Sequence, residues 1–571
     1  MFKRILCVLV VLCFGFGTAS RLAFAAAETA GSIVGREQIE KNQEQIEERI
    51  KAPRQSDQGE VIEEGVEADH GPKVLIRSIV VEGATILTAQ EVRAVTLQYE
   101  GQELSLKDMQ KVADLITAEY RKKGYVTSRA YLPPQNIESG TLLIRIVEGT
   151  LGDLQIRGNK YFSSSLLARK IALKPQDFFD YAKLQKALSA INEHPDRKAK
   201  AVLIPGQKSG TTDVVLEVQD RLPIHAGVAY DNWGSRYVNK HRYAGILQHN
   251  NLFGQDDKLY LKYQESEAQR LQFGMARYSY PITTTVEAGG YAAYNEVRSG
   301  LEFKPLDSNG SAALYGVFLN KRMIEEDSLD LRLNFGFDSK SIEDESLGGA
   351  SRTRDELRVV KSGIDVDVSD PLGRTILTTE LNAGIPNFMG AMQDHDPLAS
   401  RPNASADFTK GVMNLYRLQP LPWELTLLWK NTGQFTNHRL AAVEEFQIGG
   451  PTSVRGYPAA EFTGDKGYYT SFELSFPVYP LSKDIRVPFR KQDRLYDALR
   501  LVAFWDWGYV SRHQPSVGEE EHNTLRAAGF GVRLNLTEHL DFAFEVGYPL
   551  GGPVPSDEDH AHPWIEFSYI F

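Results

Sequence analysis

Past Pro223 the chain alternates strictly and carries charge on one of its two faces. Leu329, Leu331, Leu333, Phe335 and Phe337 interleave with Asp330, Arg332, Asn334, Gly336 and Asp338. Over Lys258 to Gln264, Leu259, Leu261 and Tyr263 alternate with Lys258, Tyr260, Lys262 and Gln264, and the pattern returns over Ala528 to Leu536 and Asp541 to Tyr548. Successive side chains of a strand point to opposite faces. Charged residues on one face cannot sit in a dry sandwich core, and apolar residues on the other need lipid or protein. Strands that are apolar outside and polar inside predict an antiparallel transmembrane β-barrel. Lipid tolerates no open sheet edge, so the sheet must close. The roughly 350 residues after Pro223 allow about sixteen strands of about 10 residues with their turns. At the C-terminus Ile565, Phe567, Tyr569 and Phe571 alternate with Trp564, Glu566, Ser568 and Ile570. That end predicts a last strand that closes on the first.

The N-terminus reads as a secretory signal over 1–27. Lys3 and Arg4 form the charged region, Ile5 to Phe16 the apolar region, and Ala25-Ala26-Ala27 the cleavage site. Leu12 before Cys13 is too bulky for a lipoprotein signal. Both cysteines, Cys7 and Cys13, fall inside this segment, so the mature chain is expected to lack thiols and disulfides. Residues 28–51 follow as one N-terminal element, in which Gly35 to Lys51 reads as a helix rich in good helix formers. Its apolar stripe of Ile39, Ile46 and Ile50 is too thin for a hydrophobic core. Two readings stand: a solvated helix in a disordered leader, or a plug inside a polar lumen. Residues 52–73, with Pro53, Gly59, Gly65, Gly71, Pro72 and many acids, read as a linker.

Two α+β modules come next. The first, 74–149, offers a strand over Val74 to Glu82 ending in Gly83, and a short helix over Thr88 to Leu97 with Thr88 as its N-cap. A second helix over Ser105 to Lys123 carries Leu106, Met109, Val112, Ile116 and Tyr120 on one face. Ser105 and Asp108 form its N-terminal box, and Gly124 ends it. Strands over Tyr125 to Leu132 and Leu142 to Glu148 complete the module. The order then recurs in 150–222: a strand over Leu151 to Arg157 ending Gly158-Asn159, helices over Ser164 to Leu173 and Tyr181 to Ile191, and strands over Ala199 to Pro205 and Thr212 to Gln219. A recurrence at about 75 residues is an internal duplication. A generic pair of periplasmic modules is the plainer reading; the barrel occupies 223–571.

Late in the barrel lies Gly449-Gly450-Pro451-Thr452-Ser453-Val454-Arg455-Gly456-Tyr457-Pro458, a sharply turning loop. The guanidinium of Arg455 is a rigid fork suited to a carboxylate, and Gly456 lets backbone approach a wall closely. The stretch resembles the VRGY/F motif of the superfamily that joins POTRA modules to a barrel, which includes BamA and the two-partner secretion transporters. The duplicated modules resemble POTRA domains, including the Lys122-Lys123-Gly124-Tyr125 turn. The C-terminal Phe567, Tyr569 and Phe571 resemble a β-signal for barrel assembly. Tyr230-Asp231-Asn232-Trp233-Gly234, His241-Arg242-Tyr243-Ala244-Gly245 and Asn250-Asn251-Leu252-Phe253-Gly254-Gln255-Asp256-Asp257 look like the first barrel hairpin of the ShlB/FhaC/HecB haemolysin secretion/activation family. Asp231, Asn232, Gly234, Asn251 and Gly254 carry that match. It is partial, since Ala244-Gly245 stands where Thr-Gly is usual and Leu252-Phe253 replaces a proline-containing pair.

The resemblance implies that Val454, Arg455, Gly456 and Tyr457 fold back into the lumen. It also implies that Arg455 meets Glu473, of Phe472-Glu473-Leu474, and Asp506, of Phe504-Trp505-Asp506. By parity Phe472, Leu474, Phe476, Trp505 and Trp507 face lipid while both carboxylates face in. The plainer reading is an arginine in an exposed turn. The family implies an outer-membrane translocator of a Gram-negative bacterium with POTRA domains in the periplasm. Its partner would be a secreted, β-helical exoprotein of TpsA type, exported through a monomeric barrel in outer-membrane lipid. Whether a haemolysin or adhesin is also activated is left open by the residues. Two modules favour secretion over assembly of other barrels, because BamA relatives usually carry five; a passive porin is a third reading. A net charge of −11 without a long basic run argues against a nucleic-acid partner. No G-x-S-x-G, H-E-x-x-H or glycine-rich phosphate loop occurs, so neither enzyme chemistry nor a cofactor is expected. Asp557-Glu558-Asp559-His560-Ala561-His562 reads as a solvated loop rather than a metal site, and His194 and His225 as isolated.

Overall fold

The computed structural model describes residues 30–51 and 73–571, apart from 138, 236, 299, 301–303, 305–306, 327, 488–489, 517–518 and 537–539. The expected signal segment with Cys7 and Cys13, and the expected linker up to residue 72, lie outside the described residues. The described residues form two compact units, one over 73–223 and the other formed by 30–51 with Ile224–Phe571. The N-terminal segment supplies helix α1 (Ala30–Lys51).

In the first unit the sequence order of the modules becomes a two-stranded and two three-stranded sheets packed with helices. Strands β1 (Val74–Ile76) and β2 (Ser78–Glu82) precede helix α2 (Ala89–Thr96), β3 (Gln102–Leu104), helix α3 (Leu106–Lys122), β4 (Arg129–Tyr131) and β5 (Thr141–Val147). The single strand expected over Val74 to Glu82 breaks at Arg77: β1 pairs with β3, and β2 pairs in parallel with β5. The strand expected over Tyr125 to Leu132 shrinks to three residues, because Ser128 N–H turns back to the Tyr125 carbonyl at 3.1 Å. Both expected caps form as capping boxes, Thr88 with Glu91 and Ser105 with Asp108. Met109, Val112, Ile116 and Tyr120 pack on Leu142, Ile144 and Ile146.

The second module repeats this with β6 (Thr150–Arg157), α4 (Ser164–Ile171), α5 (Tyr181–Asn192), β7 (Arg197–Pro205) and β8 (Thr211–Asp220). Here β8 is central, parallel to β6 and antiparallel to β7. The strand-end glycines are equivalent. A Cβ on Gly83 (φ +90°) would lie 2.6 Å from the Ile146 carbonyl oxygen, and one on Gly158 (φ +87°) 2.4 Å from that of Val218. Each glycine lets its chain turn against the parallel neighbour where no side chain fits.

In the second unit sixteen antiparallel strands close into a barrel. It begins with β9 (Ile224–Asp231), β10 (Arg242–His249), β11 (Lys258–Ser266), β12 (Leu271–Pro281), β13 (Val286–Arg298), β14 (Asn309–Glu325), β15 (Leu329–Ser346), β16 (Ser351–Asp370), β17 (Gly373–Gly384), β18 (Thr409–Leu421) and β19 (Leu425–Thr436). The segment after β19 holds the short hairpin β20 (Phe446–Ile448) and β21 (Phe462–Gly464), after which β22 (Lys466–Pro477) resumes the wall. A turn with the minor strands β23 (Arg486–Val487) and β24 (Arg490–Arg494) leads to β25 (Leu499–Ser511), β26 (His522–Leu536), β27 (Leu540–Pro549) and β28 (His562–Ile570). The last strand pairs with the first through five register pairs, from Glu566 with Asp231 to Ile570 with Gly227. Phe567 and Tyr569 stand opposite Tyr230 and Val228, and Phe571 N–H donates to the Ala226 carbonyl at 2.7 Å. No helix among the described residues is long and apolar enough to cross a membrane.

Helix α1 packs inside this barrel and starts five residues before the expected Gly35. Those extra residues overturn the expectation that it cannot dock in an apolar core. Ala30, Ile33 and Val34 join a dry cluster with Leu271, Phe273, Leu440 and Val443. At the other end Ile46 and Ile50 rest on Ile376, Tyr416 and Leu428. Gly31 and Gly35 bring the helix against the inward segment before β20: a Cβ on Gly31 would lie 3.3 Å from Val443 Cβ, and one on Gly35 3.0 Å from the Val443 carbonyl oxygen.

In the first module Glu148 ties the helix layer to the turn after β2. Its carboxylate accepts from Thr85 N–H at 2.7 Å, Ile86 N–H at 2.8 Å and Tyr120 Oη at 2.6 Å, and also from the Thr85 hydroxyl. Burial alone pushes the carboxyl up, but these donors outweigh it and hold it below the ordinary glutamate value. A carboxylate whose folded value is depressed stabilises the fold above its unfolded value, and that stability is lost as pH falls through the folded value. Hydrogen exchange of the Thr85 and Ile86 amides should therefore lose protection as pH drops below about 4.3. Glu148→Gln should start less protected at neutral pH and lack that acid step.

Candidate functional site in the barrel lumen

The loop between β19 and β22 folds into the lumen, and local chemistry makes the turn. Gly449 (φ +103°) and Gly450 (φ +96°) take left-handed backbone. Gly449 N–H donates to Ser453 Oγ at 2.8 Å, and Gly450 N–H to the Tyr457 carbonyl at 3.0 Å. Gly456 lies flat on the wall, where a Cβ would meet Ala527 Cβ at 2.7 Å and Pro549 N at 2.8 Å. Val454 is buried with Ile448, Tyr457 and Leu525, and Tyr457 Oη donates to the Gly551 carbonyl at 3.0 Å.

Arg455 is thereby delivered to a buried carboxylate cluster. Its Nε and Nη2 donate to Asp506 Oδ2 and Oδ1 at 2.8 and 2.7 Å, and its own backbone N–H reaches Asp506 Oδ2 at 3.1 Å. Nη1 donates to Glu545 Oε2 at 2.9 Å, and Nη2 also to Ser471 Oγ at 3.0 Å. The guanidinium carbon lies 3.5 Å above the Phe504 ring, and Trp564 Nε1 donates to the Arg455 carbonyl at 2.8 Å. Four guanidinium hydrogen bonds thus reach fixed partners, a fork that lysine cannot imitate.

Of the two expected carboxylates, Asp506 takes the two-toothed contact and Glu473 stands farther off, 3.6 Å from Nη1. Glu473 is gripped more closely by Arg533 at 2.6 Å and Lys430 at 2.5 Å. Sequence reasoning missed Glu545, the second direct partner of Arg455, together with Arg533 and Lys430. Glu545 sits at inward parity in the alternating run over Asp541 to Tyr548, which was the available signal. Lys430 extends the network to the helix, with Nζ 2.6 Å from Glu47 Oε1.

The residues grouped as one first-hairpin motif separate in space. Asp231 and Asn232 close β9, whereas Asn251 and Gly254 form the next turn, between β10 and β11, at the other end of β10. Asn232 stitches the barrel seam: Nδ2 donates to the Pro563 carbonyl and Oδ1 accepts from Ile565 N–H, both at 2.8 Å. Gly234 takes a tight loop in which a Cβ would lie 2.1 Å from the Asn239 carbonyl oxygen. Asn251 Oδ1 accepts from Asp256 N–H at 2.9 Å, and Gly254 has φ +75°. Asp231 holds Arg242, at 2.6 Å from Nε, and Arg242 Nη1 donates to Glu37 of the helix at 2.7 Å. His562, expected in a solvated loop, opens β28 and is buried, with Nε2 3.0 Å from Asp557 of the preceding loop. Lys240 stands 3.6 Å from the same carboxylate.

The family model described as "Haemolysin secretion/activation protein ShlB/FhaC/HecB" matches residues 210–534. The chain belongs to this family. Models described as "POTRA domain, ShlB-type" and "Surface antigen variable number repeat" match residues 74–149 and 150–200. Among curated proteins it is similar to the heme/hemopexin transporter protein HuxB of Haemophilus influenzae, 24% identical with 85% of each chain covered. It is also similar to the outer membrane transporter CdiB of Dickeya dadantii, 23% identical with 95% of each covered. Among solved structures it resembles CdiB from Escherichia coli, with a TM-score of 0.71 at 22% identity over 94% of this chain and 98% of that one. This family member is an outer-membrane translocator, and its two POTRA domains belong to the periplasm.

Arg455→Ala should destabilise the folded barrel by about 3–5 kcal/mol, because it strands buried carboxylates that face one another. Arg455→Lys should recover only part of that. Arg455→Lys and Glu545→Gln should combine non-additively, as contacting residues do. Urea unfolding in detergent micelles, followed by the mobility difference between folded and unfolded barrel on gels, measures all of these.

Proposed function

We propose that this translocator exports a secreted, unfolded exoprotein of TpsA type, with helix α1 as the resting plug of its pore. A removable polar helix inside a charged wall carries this reading. Glu37, Glu40, Glu47 and Arg49 contact the barrel through ion pairs, which water or another polar chain can replace. The helix also leaves part of the section open: a cavity of about 290 Å³ separates Gln38, Lys41 and Gln45 from Phe273, Tyr291 and Asn334.

On this reading residues 1–27 direct export to the periplasm, 28–51 plug the barrel and 52–73 form the tether. Residues 74–149 and 150–222 capture cargo, and 223–571 conduct it as a single monomeric barrel. Capture proceeds by adding a cargo strand to a sheet edge; β7, the longer edge strand of the second module, is the natural template. Arg455 with Asp506, Glu473 and Glu545 fixes the inward loop as the barrel widens, and Phe567, Tyr569 and Phe571 guide barrel assembly. The relatives are named for hemolysin and heme/hemopexin transport, which supports a cargo of the exoprotein class.

A disulfide between helix and loop tests the plug. Gly31 and Val443 are placed for one, since a Cβ on residue 31 would lie 3.3 Å from that of Val443, close to the 3.5–4.5 Å span of disulfides. In Gly31→Cys/Val443→Cys, oxidation should stop secretion of the cognate exoprotein, and reductant should restore it. Undiminished secretion from the oxidised variant would reject a mobile plug, and a general loss of outer-membrane proteins on depletion would point to barrel assembly instead.

A further inference from the structure

Glu37 is held differently from every other acid on the helix. Its Oε1 accepts from Arg242 Nη1 and Gln264 Nε2, both at 2.7 Å, and its Oε2 from Lys262 Nζ at 3.2 Å. Three donors, two of them cationic, converge on one buried carboxylate, the arrangement of strong charge-assisted recognition. All three belong to the wall. Arg242 opens β10, while Lys262 and Gln264 share the inward face of β11 two residues apart.

Arg242 and Lys262 have wall contacts of their own, although Arg242 Nη2 also donates to Glu40 of the helix at 3.3 Å. Arg242 Nε and Nη2 grip Asp231 on β9, at 2.6 and 3.2 Å, which aims Nη1 into the lumen. Lys262 lies over the Phe273 ring at 5.8 Å. Among the described residues Lys262 has no carboxylate other than Glu37 within 4 Å. The contact at the other end of the helix differs. Lys430 holds Glu47 at 2.6 Å but also wall Glu473 at 2.5 Å, so it stays paired when the helix goes. Departure of the helix therefore uncovers one preformed acceptor site for an anion, on β10 and β11.

We propose that Arg242, Lys262 and Gln264 form a carboxylate-binding pocket that Glu37 fills while the helix is seated, and that takes an acidic side chain of the polypeptide in transit once the helix has left. Glu37 acts as a built-in mimic of the cargo, and cargo carrying Asp or Glu competes for the same donors. The proposal rests on the plug reading and adds the chemistry that displaces the plug.

The test uses the full-length protein in planar lipid bilayers, with two extended hexapeptides that differ only by one Glu or Gln. Glu37→Gln should raise the open probability, while Glu44→Gln, at an exposed acid of the same helix, should not. In the Glu37→Gln channel the Glu peptide should shorten open events at a concentration about tenfold or more below that of the Gln peptide, the difference expected between a charged and a neutral acceptor. Adding Lys262→Gln should remove that difference, with the gel mobility of the folded barrel checked for each variant. Equal potency of the two peptides, a difference that survives Lys262→Gln, or an unchanged open probability in Glu37→Gln each overturns the proposal. Secretion by the Gly31→Cys/Val443→Cys variant reports separately: if it persists when oxidised, the plug reading falls whatever the peptides do, and if it stops while the peptides are equal, only the pocket falls.

Discussion

A sheet immersed in lipid must leave no backbone donor or acceptor unpaired, and ring closure is the one solution open to strands. Closure also governs the chemistry of the interior. Sixteen strands turn alternate side chains inward, and the inward set is charged, so opposite signs must meet across a confined section. Buried ion pairs of this kind survive only with near-complete hydrogen bonding. Arg455 meets that demand from a loop, Arg533 and Lys430 from the wall. The helix meets it from the chain's other end with Glu37 and Glu47. The lumen thus holds two polar networks that reach the helix, one running from Arg455 through Glu473 and Lys430 to Glu47 and the other from Asp231 through Arg242 to Glu37.

Much of this was readable from residues. Alternation with charge on one face fixed both the barrel and the direction each strand faces, because period-2 patterning leaves no freedom once one side meets lipid. The duplication was readable through capping residues and strand-end glycines, whose chemistry is local. Arg455 and Asp506 were readable through a motif, and the inward parity of Glu473 through its neighbours Phe472 and Leu474.

What stayed hidden depends on contacts between distant segments. Glu545 looked like any inward acid until β27 was placed beside the loop. Helix α1 looked too polar to dock because its apolar residues Ala30, Ile33 and Val34 precede the stretch of strong helix formers. The break at Arg77 comes from β1 and β2 choosing different partners, which propensity does not encode. Asn251 and Gly254 looked joined to Asp231 because they are near in sequence, yet the length of β10 carries them to the opposite rim.

Gly31 and Gly35 lie one helical turn apart on one side of α1, flush against Val443. Glu37 comes two residues after Gly35, about 200° around the axis, and so emerges on the far side. The glycine flank works as a keyway. A side chain at Gly35 would press on the Val443 carbonyl and lift the rod off its seat, and a slip by one position would swing Glu37 away from β10 and β11. Azimuth as well as depth is therefore indexed by two residues that bear no side chain.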